Sequence, residues 1–155
     1  MSDAQALMHG KRGLVMGVAN DRSIAWGISK ALSDHGATLA FTYQGAALEK
    51  RVRPLAASLG TDLVLPCDVT DPDNMDAAFD KIEKEWGGID FVVHAIAYSD
   101  KEELKGRYVD TTPENFAMTM SVSCYSFTAV CKRAVPLMKN GGSLLTLTYA
   151  GAERV

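Results

Sequence analysis

The stretch GVANDRSIAWGI, Gly17–Ile28, follows a short apolar run, GLVM, and decides how the rest of the chain is read. A dinucleotide-binding turn commonly reads G-x-G-x-x-G between a strand and a helix. Here only Gly17 and Gly27 remain, with Ser23 between them. Such a turn needs backbone that can approach a pyrophosphate, a helix N-terminus aimed at it, and close packing of helix on sheet. Gly17 meets the first need. Ser23 is a good N-cap, and its hydroxyl or the amides after it can hold a phosphate oxygen. Gly27, one turn into the helix, is expected to remove a side chain where helix meets sheet. Taken alone, the stretch reads equally well as a plain capped helix after a strand.

Outward from that turn, the chain has 155 residues, the size of one domain with a real core. Hydrophobic residues make up 47% and charged residues 23%, which fits a globular protein. The net charge of −3 is weak and mixed, and no Lys/Arg-rich block occurs, so nucleic acid and membrane surfaces are not expected partners. The N-terminal MSDAQALMHGKRG has no apolar core of signal-peptide length, and no run approaches a membrane span. Cys67, Cys124 and Cys131 form no C-x-x-C pair, which suits free thiols in a reducing, cytoplasmic compartment. His9, His35 and His94 are scattered without ligand spacing, so no bound metal is expected.

Short apolar runs alternate with helical patterns. Strands are predicted at Gly13–Gly17, Thr38–Tyr43, Asp62–Pro66, Phe91–Ile96 and Ser143–Tyr149. Runs such as FVVHAI are apolar without alternation, as in strands buried on both faces of a parallel sheet. Ile24, Ile28, Ala31 and Leu32 mark one helix face, with Gly36 at its stop. Leu48, Val52, Leu55 and Leu59 mark a second, with Pro54 inside it expected to bend the helix. Met75, Ala78, Phe79, Ile82 and Trp86 line a third, ending at Gly87-Gly88. A long fourth helix starts at Thr112-Pro113-Glu114 and runs towards Met138 unless Pro136 cuts it. Strand and helix in alternation predict an α/β fold, a Rossmann-type doubly wound parallel sheet of strand order 3-2-1-4-5. The ligand crevice then lies at the loops after Met16, Pro66 and Ile96.

Five fragments in order, GKRGLVMGVANDRSIAWGI, LAFTYQG, CDVTD, DFVVHAIAYS and GGSLLTLTYAGAERV, together resemble the bacterial NADH-dependent enoyl-[acyl-carrier-protein] reductases. These are a divergent branch of the short-chain dehydrogenase/reductases, and the resemblance runs from about Gly10 to Val155. In that family a long loop with a serine at the helix start is the normal fingerprint, so the opening motif is a different one rather than a damaged one.

The resemblance implies roles. Gly17, Ala19, Ser23 and Ile24 would line the pyrophosphate and nicotinamide-ribose side of NADH. Gln44 ends strand 2, where many NAD enzymes carry an acidic residue for the ribose hydroxyls. A neutral Gln can still bond them, and Gly45, Ala46 and Ala47 give a 2′-phosphate no cation, which favours NADH over NADPH. Asp68 and Val69 would cradle the adenine; otherwise Asp68 simply caps a turn. Ala95, Ile96 and Ala97 let the cofactor lie against backbone, with Ala97 standing where many members have Gly. Val122 would pack near the cofactor, and Tyr98 and Ser99 would flank the acyl substrate. Thr148 would contact the cofactor, and Tyr149 stands where the family assigns a supporting catalytic or substrate-contact tyrosine. His94 reads as a buried strand residue rather than a catalyst, and the polar stretch SVSCYSF is unusual for a core helix.

The implied reaction is hydride transfer from NADH to an enoyl thioester on acyl carrier protein, by a homotetramer. The family's enolate donor, a second tyrosine with a lysine, should follow GAERV. Residues 1–155 therefore read as the dinucleotide-binding N-terminal part of one larger single-domain enzyme, truncated before the later strands. Roughly another hundred residues would complete a sheet of the usual size. A polypeptide ending at Val155 is expected to be inactive and to leave strand 5 as an exposed edge. The competing readings are a carbonyl-reducing short-chain dehydrogenase and a non-catalytic NAD-binding module.

Overall fold

Apolar residues in consecutive positions go to opposite faces of a strand, and that parity organises the molecule. The computed structural model describes residues 6–154. Its strands are β1 (Arg12–Met16), β2 (Thr38–Tyr43), β3 (Val64–Pro66), β4 (Phe91–His94) and β5 (Ser143–Thr146). All pair in parallel, in the order β3-β2-β1-β4-β5. Leu14 stands beside Ala40 on one side and Val92 on the other, and Val92 beside Leu144. The predicted order and the parallel pairing are both found.

Helices α1 (Ile24–Asp34), α2 (Gly45–Ser58) and α3 (Pro72–Trp86) connect these strands. Leu14, Met16, Ala40 and Val92 face α3 and the later helix residues Ala129, Val130 and Ala134. Val15, Leu39, Phe41 and Val93 face Ala25 and Trp26 of α1 and Val52 and Ala56 of α2. Both faces of the central strands are thus dry, which explains their unbroken apolar runs. Replacing the fully packed Phe41 by Ala would cost about 3–5 kcal/mol.

The ends of α3 follow its sequence signals. The Asp71 carboxylate accepts from the amides of Asp73 and Asn74 at 3.0 and 3.1 Å, Pro72 is the first helical residue, and Gly87 closes the helix at φ +70°. Thr112 caps the next helix, accepting from the Asn115 amide at 3.2 Å. That long segment is divided into α4 (Pro113–Met120), a π-helical turn (Ser121–Tyr125) and α5 (Ser126–Ala134), and ends in a 3₁₀ turn at Val135–Leu137 that contains Pro136.

Several boundaries and faces differ from the sequence reading. Strands 4 and 5 stop at His94 and Thr146, so Ala95–Ile96 and Leu147–Tyr149 lie beyond the ladder; strand 3 begins two residues late and strand 1 stops before Gly17. In α1, Ile24 and Ala31 are exposed and Ile28 and Leu32 half-buried, while Ala25, Trp26 and Ser29 form the buried face. Ser29 can be buried because its hydroxyl donates to the Ala25 carbonyl at 2.7 Å. Helix α2 does contain Pro54, as expected, and continues past it with the proline exposed. Strand β5 is an outer strand with Leu145 open to solvent, as the edge reading expects. Among the described residues no helix is long and apolar enough to cross a membrane.

Candidate cofactor site

A cavity of about 560 Å³ opens at the carboxyl ends of β1 to β4. It lies where the winding of the sheet reverses, at the loops named from sequence. Gly17, Ala19, Gln44, Asp68, Val69, Ala95, Ile96, Ala97, Tyr98 and Val122 all line it, together with Tyr43, Leu48, Cys67 and Met118.

Backbone forms the wall nearest β1. Gly17 has φ +101°, and a Cβ there would overlap the Ala95 carbonyl oxygen. Only glycine satisfies both conditions. Ser23 takes the extended conformation of an N-cap, but its hydroxyl does not cap the helix amides. It accepts instead from the amides of Ala19 at 3.0 Å and Asn20 at 3.1 Å, closing the loop on itself. Among the described residues the amides of Ile24 and Ala25 therefore take no side-chain partner, and the Ser23 hydroxyl proton remains available to donate. Gly27 does not serve close packing: it is exposed, and a Cβ on it would meet nothing within 4 Å. Close packing comes from Gly17, and from Gly13 beneath the Phe91 ring. Ile24 is 69% exposed.

At the β2–β3 end, the Gln44 amide nitrogen donates to Asp68 Oδ2 at 2.7 Å. Asp68 Oδ1 accepts from the Thr70 amide at 2.9 Å and hydroxyl at 2.7 Å. The turn-capping role of Asp68 is thus present alongside its place in the cavity. Burial pushes its carboxyl upward, yet the bonds from Thr70 and Gln44 outweigh that and hold it below the usual carboxylate range. A carboxylate can only accept, so the Gln44 amide orientation is fixed and its carbonyl oxygen remains available. Cys67 beside it is pushed up to about 11 by burial and by the Asp68 charge.

At the β4 end, the main chain of Tyr98 is gripped by one side chain. The Ser123 hydroxyl accepts from the Tyr98 amide at 3.0 Å and donates to its carbonyl at 3.1 Å. Ser99 is held by Thr119, whose hydroxyl donates to it at 2.9 Å, and by the Asn115 amide at 3.2 Å. Asn115 also accepts from the Asp100 amide at 3.1 Å. The sequence reading missed Asn115, Thr119 and Ser123; the polar stretch SVSCYSF was a signal for Ser123 alone. The structure brings that stretch against the post-β4 loop.

Thr148 and Tyr149 are not brought to the cavity. Both are exposed, Tyr149 at 85%, and Tyr149 leads into a 3₁₀ turn at Ala150–Ala152. Ser23, Ile24 and Ser99 lie beside the cavity lining rather than in it. Val155, the last residue of GAERV, is outside the described residues. Among those described, no group of His, Cys, Asp or Glu is placed to hold a metal.

A sequence model of the family described as Enoyl-(Acyl carrier protein) reductase matches residues 17–155. The chain is 62% identical over 149 residues to the enoyl-[acyl-carrier-protein] reductase [NADH] 2 of Rhizobium meliloti, covering 96% of this chain and 56% of that protein. It is 51% identical to the corresponding NADH reductase of Rickettsia conorii, over 96% of this chain and 57% of that one. Among solved structures it is similar to the Anaplasma phagocytophilum enoyl-(acyl-carrier-protein) reductase in complex with NAD. That match has a TM-score of 0.92 at 57% identity, over 96% of this chain and 56% of the other. The Bacillus cereus enoyl-acyl carrier protein reductase, solved with NADP+ and an indole naphthyridinone, matches at a TM-score of 0.92 and 49% identity, over 96% and 59%. The chain spans a little over half the length of these relatives.

Proposed function

The chain belongs to the enoyl-(acyl carrier protein) reductase family, and on that premise we propose that it is the NADH-binding part of an enzyme that reduces the double bond of a trans-2-enoyl thioester on acyl carrier protein, in fatty acid biosynthesis. The observation that carries this reading is the approach of Gly17 to Ala95, which leaves a wall of bare backbone beside a helix N-terminus. The cavity volume of about 560 Å³ is within the range of cofactor sites.

In this reading the open amides of α1, with Ile24 at its start, and the free proton of Ser23 hold the pyrophosphate beside Gly17 and Ala19. The Gln44 carbonyl oxygen accepts from a ribose hydroxyl, and Asp68 and Val69 take the adenine. Ala95, Ile96, Ala97 and Val122 serve the nicotinamide-ribose side; Thr148, which lies outside the cavity, is assigned to it by the family resemblance alone. Tyr98 and Ser99 flank the acyl chain. Held by these residues, NADH would supply the hydride for the β-carbon of the thioester. Negative charge then gathers on the thioester oxygen, which requires a hydrogen-bond donor. Tyr149 supports that step or contacts the substrate. The main donor, a further tyrosine with a lysine, is expected in the remaining share of the relatives' length, which would make residues 1–155 the N-terminal part of one larger domain.

We further place the whole enzyme in the cytoplasm as a homotetramer. Support comes from the family resemblance, from three free thiols, and from Phe116, Met120 and Tyr125, which are exposed along the long helix. For the 155-residue chain alone, the exposed Tyr149 favours a second reading, cofactor binding without turnover. The test is an assay of the family-length protein with enoyl thioester and ketone substrates side by side. NADH-dependent reduction of the enoyl thioester is expected. Reduction of the ketone instead would point to a carbonyl reductase and overturn the assignment.

A further inference from the structure

His94 ends β4, is fully buried, and has no part in the chemistry above. Its Nε2 lies 2.8 Å from Ser126 Oγ, and its Nδ1 lies 3.1 Å from Thr146 Oγ1. The single Ser126 proton goes to the Val122 carbonyl at 2.6 Å. Towards the ring, the Ser126 oxygen can then only accept. So Nε2 carries the hydrogen, and Nδ1 accepts from Thr146. Burial lowers the tendency of the ring to protonate, which keeps it in this neutral form.

The ring therefore joins three elements: the end of β4, the end of β5, and the long helix at its π-helical turn. A π turn departs from regular helix bonding and often marks a functional site. This one, Ser121–Tyr125, is held from outside at two points. Behind it, Ser126 braces the Val122 carbonyl and is itself braced by His94. Ahead of it, Ser123 grips both main-chain groups of Tyr98. Val122 and Tyr98 both line the cavity.

We propose that His94 is a positioning residue: as an Nε2–H imidazole it locks the π turn through Ser126, and thereby holds Val122 and the Tyr98 loop in the shape that closes one end of the cofactor cavity. The effect on the cofactor rests on the NADH reading above; the lock itself does not.

The test compares the chain with its His94→Leu, His94→Gln and Ser126→Ala variants. A glutamine amide can replace the Nε2 donor, whereas leucine cannot. Imidazole nitrogen NMR should show a neutral Nε2–H ring for His94. His94→Leu should weaken NADH binding by about tenfold, the scale of one lost buried hydrogen bond, and speed amide exchange at 97–100 and 121–125. Ser126→Ala should reproduce both effects, and His94→Gln should restore most of the affinity. An Nδ1–H or protonated ring would overturn the proposal. So would variants that lower overall stability yet leave the exchange at 97–100 and the NADH affinity unchanged. If the parent chain binds no NADH, the cofactor reading fails, and the ring tautomer with the exchange pattern still decides for or against the lock.

Discussion

The side-chain amide of Gln44 donates to the carboxylate of Asp68 at 2.7 Å, tying the end of β2 to the residues just after β3 across the mouth of the cavity. The bond has an electrostatic consequence. It holds an ionised carboxylate beside the residue expected to meet the adenosine ribose. A 2′-phosphate there would meet negative charge.

Cofactor choice follows from that pair. Asp68→Asn should narrow the preference for NADH over NADPH by roughly fivefold, the scale of removing one like charge about 4 Å away that is screened as in water, about 1 kcal/mol. Titrating both dinucleotides against parent and variant measures it. An unchanged ratio would mean that Asp68 plays no part in selection.

The two glycines of the opening motif should respond in opposite directions. Gly17→Ala places a side chain at φ +101° and against the Ala95 carbonyl. Backbone strain alone costs about 1–3 kcal/mol, and the overlap adds to it. Gly27→Ala fills open space in a helix and should stabilise by about 0.5–1 kcal/mol. Urea midpoints of the two variants check both signs.

Thiol reactivity should separate by burial. Cys67 is buried and its thiol sits at about 11, so little thiolate exists near neutral pH. Cys124 is exposed. Alkylation followed by peptide mass mapping should label Cys124 first and Cys67 last. Early labelling of Cys67 would contradict its placement beneath the cavity.

Acid should weaken the fold through His94. Its native pKa is lowered by burial, so between the unfolded value of about 6.5 and the lower native one the unfolded chain binds more protons. The contribution is complete above that unfolded value and is lost as pH falls through the native one. His94→Gln should remove this part of the slope of stability against pH, measured by urea unfolding across the acid range. A slope unchanged by the variant would mean that His94 titrates alike in both states.

The strands were legible because β1, β2 and β4 are buried on both faces and read as apolar stretches without alternation, and their order followed from the strand–helix alternation with right-handed crossovers. Strand ends were not. Ala95–Ile96 and Leu147–Tyr149 are as apolar as the strands before them, and composition cannot tell a ladder residue from a cavity wall, as at Ala95–Ile96, or from an exposed continuation, as at Leu147–Tyr149. The α1 face was read one position out because Ile24 and Ile28 outweigh Ala25 and Ser29 in hydropathy. Yet the small residues pack, and the Ser29 hydroxyl satisfies itself within the helix. Gly17, Gln44, Asp68 and Ala95–Ala97 could be placed from the family fingerprint. The gripping residues Ser123, Asn115 and Thr119 could not: Ser123 sits in a π turn, which rotates side chains away from the positions a 3.6-residue period assigns, while Asn115 and Thr119 are polar residues one turn apart in α4 that read as a solvated face.

The cavity beside Gly17 is proposed to bind NADH. Fluorescence titration of the purified chain with NADH, after cooperative urea unfolding has established that it is folded, tests this most directly. Saturable binding of one NADH per chain, weaker for NADPH and strongly reduced by Gly17→Ala, is the predicted result. A folded chain that binds no NADH would overturn the assignment of this cavity as a dinucleotide site.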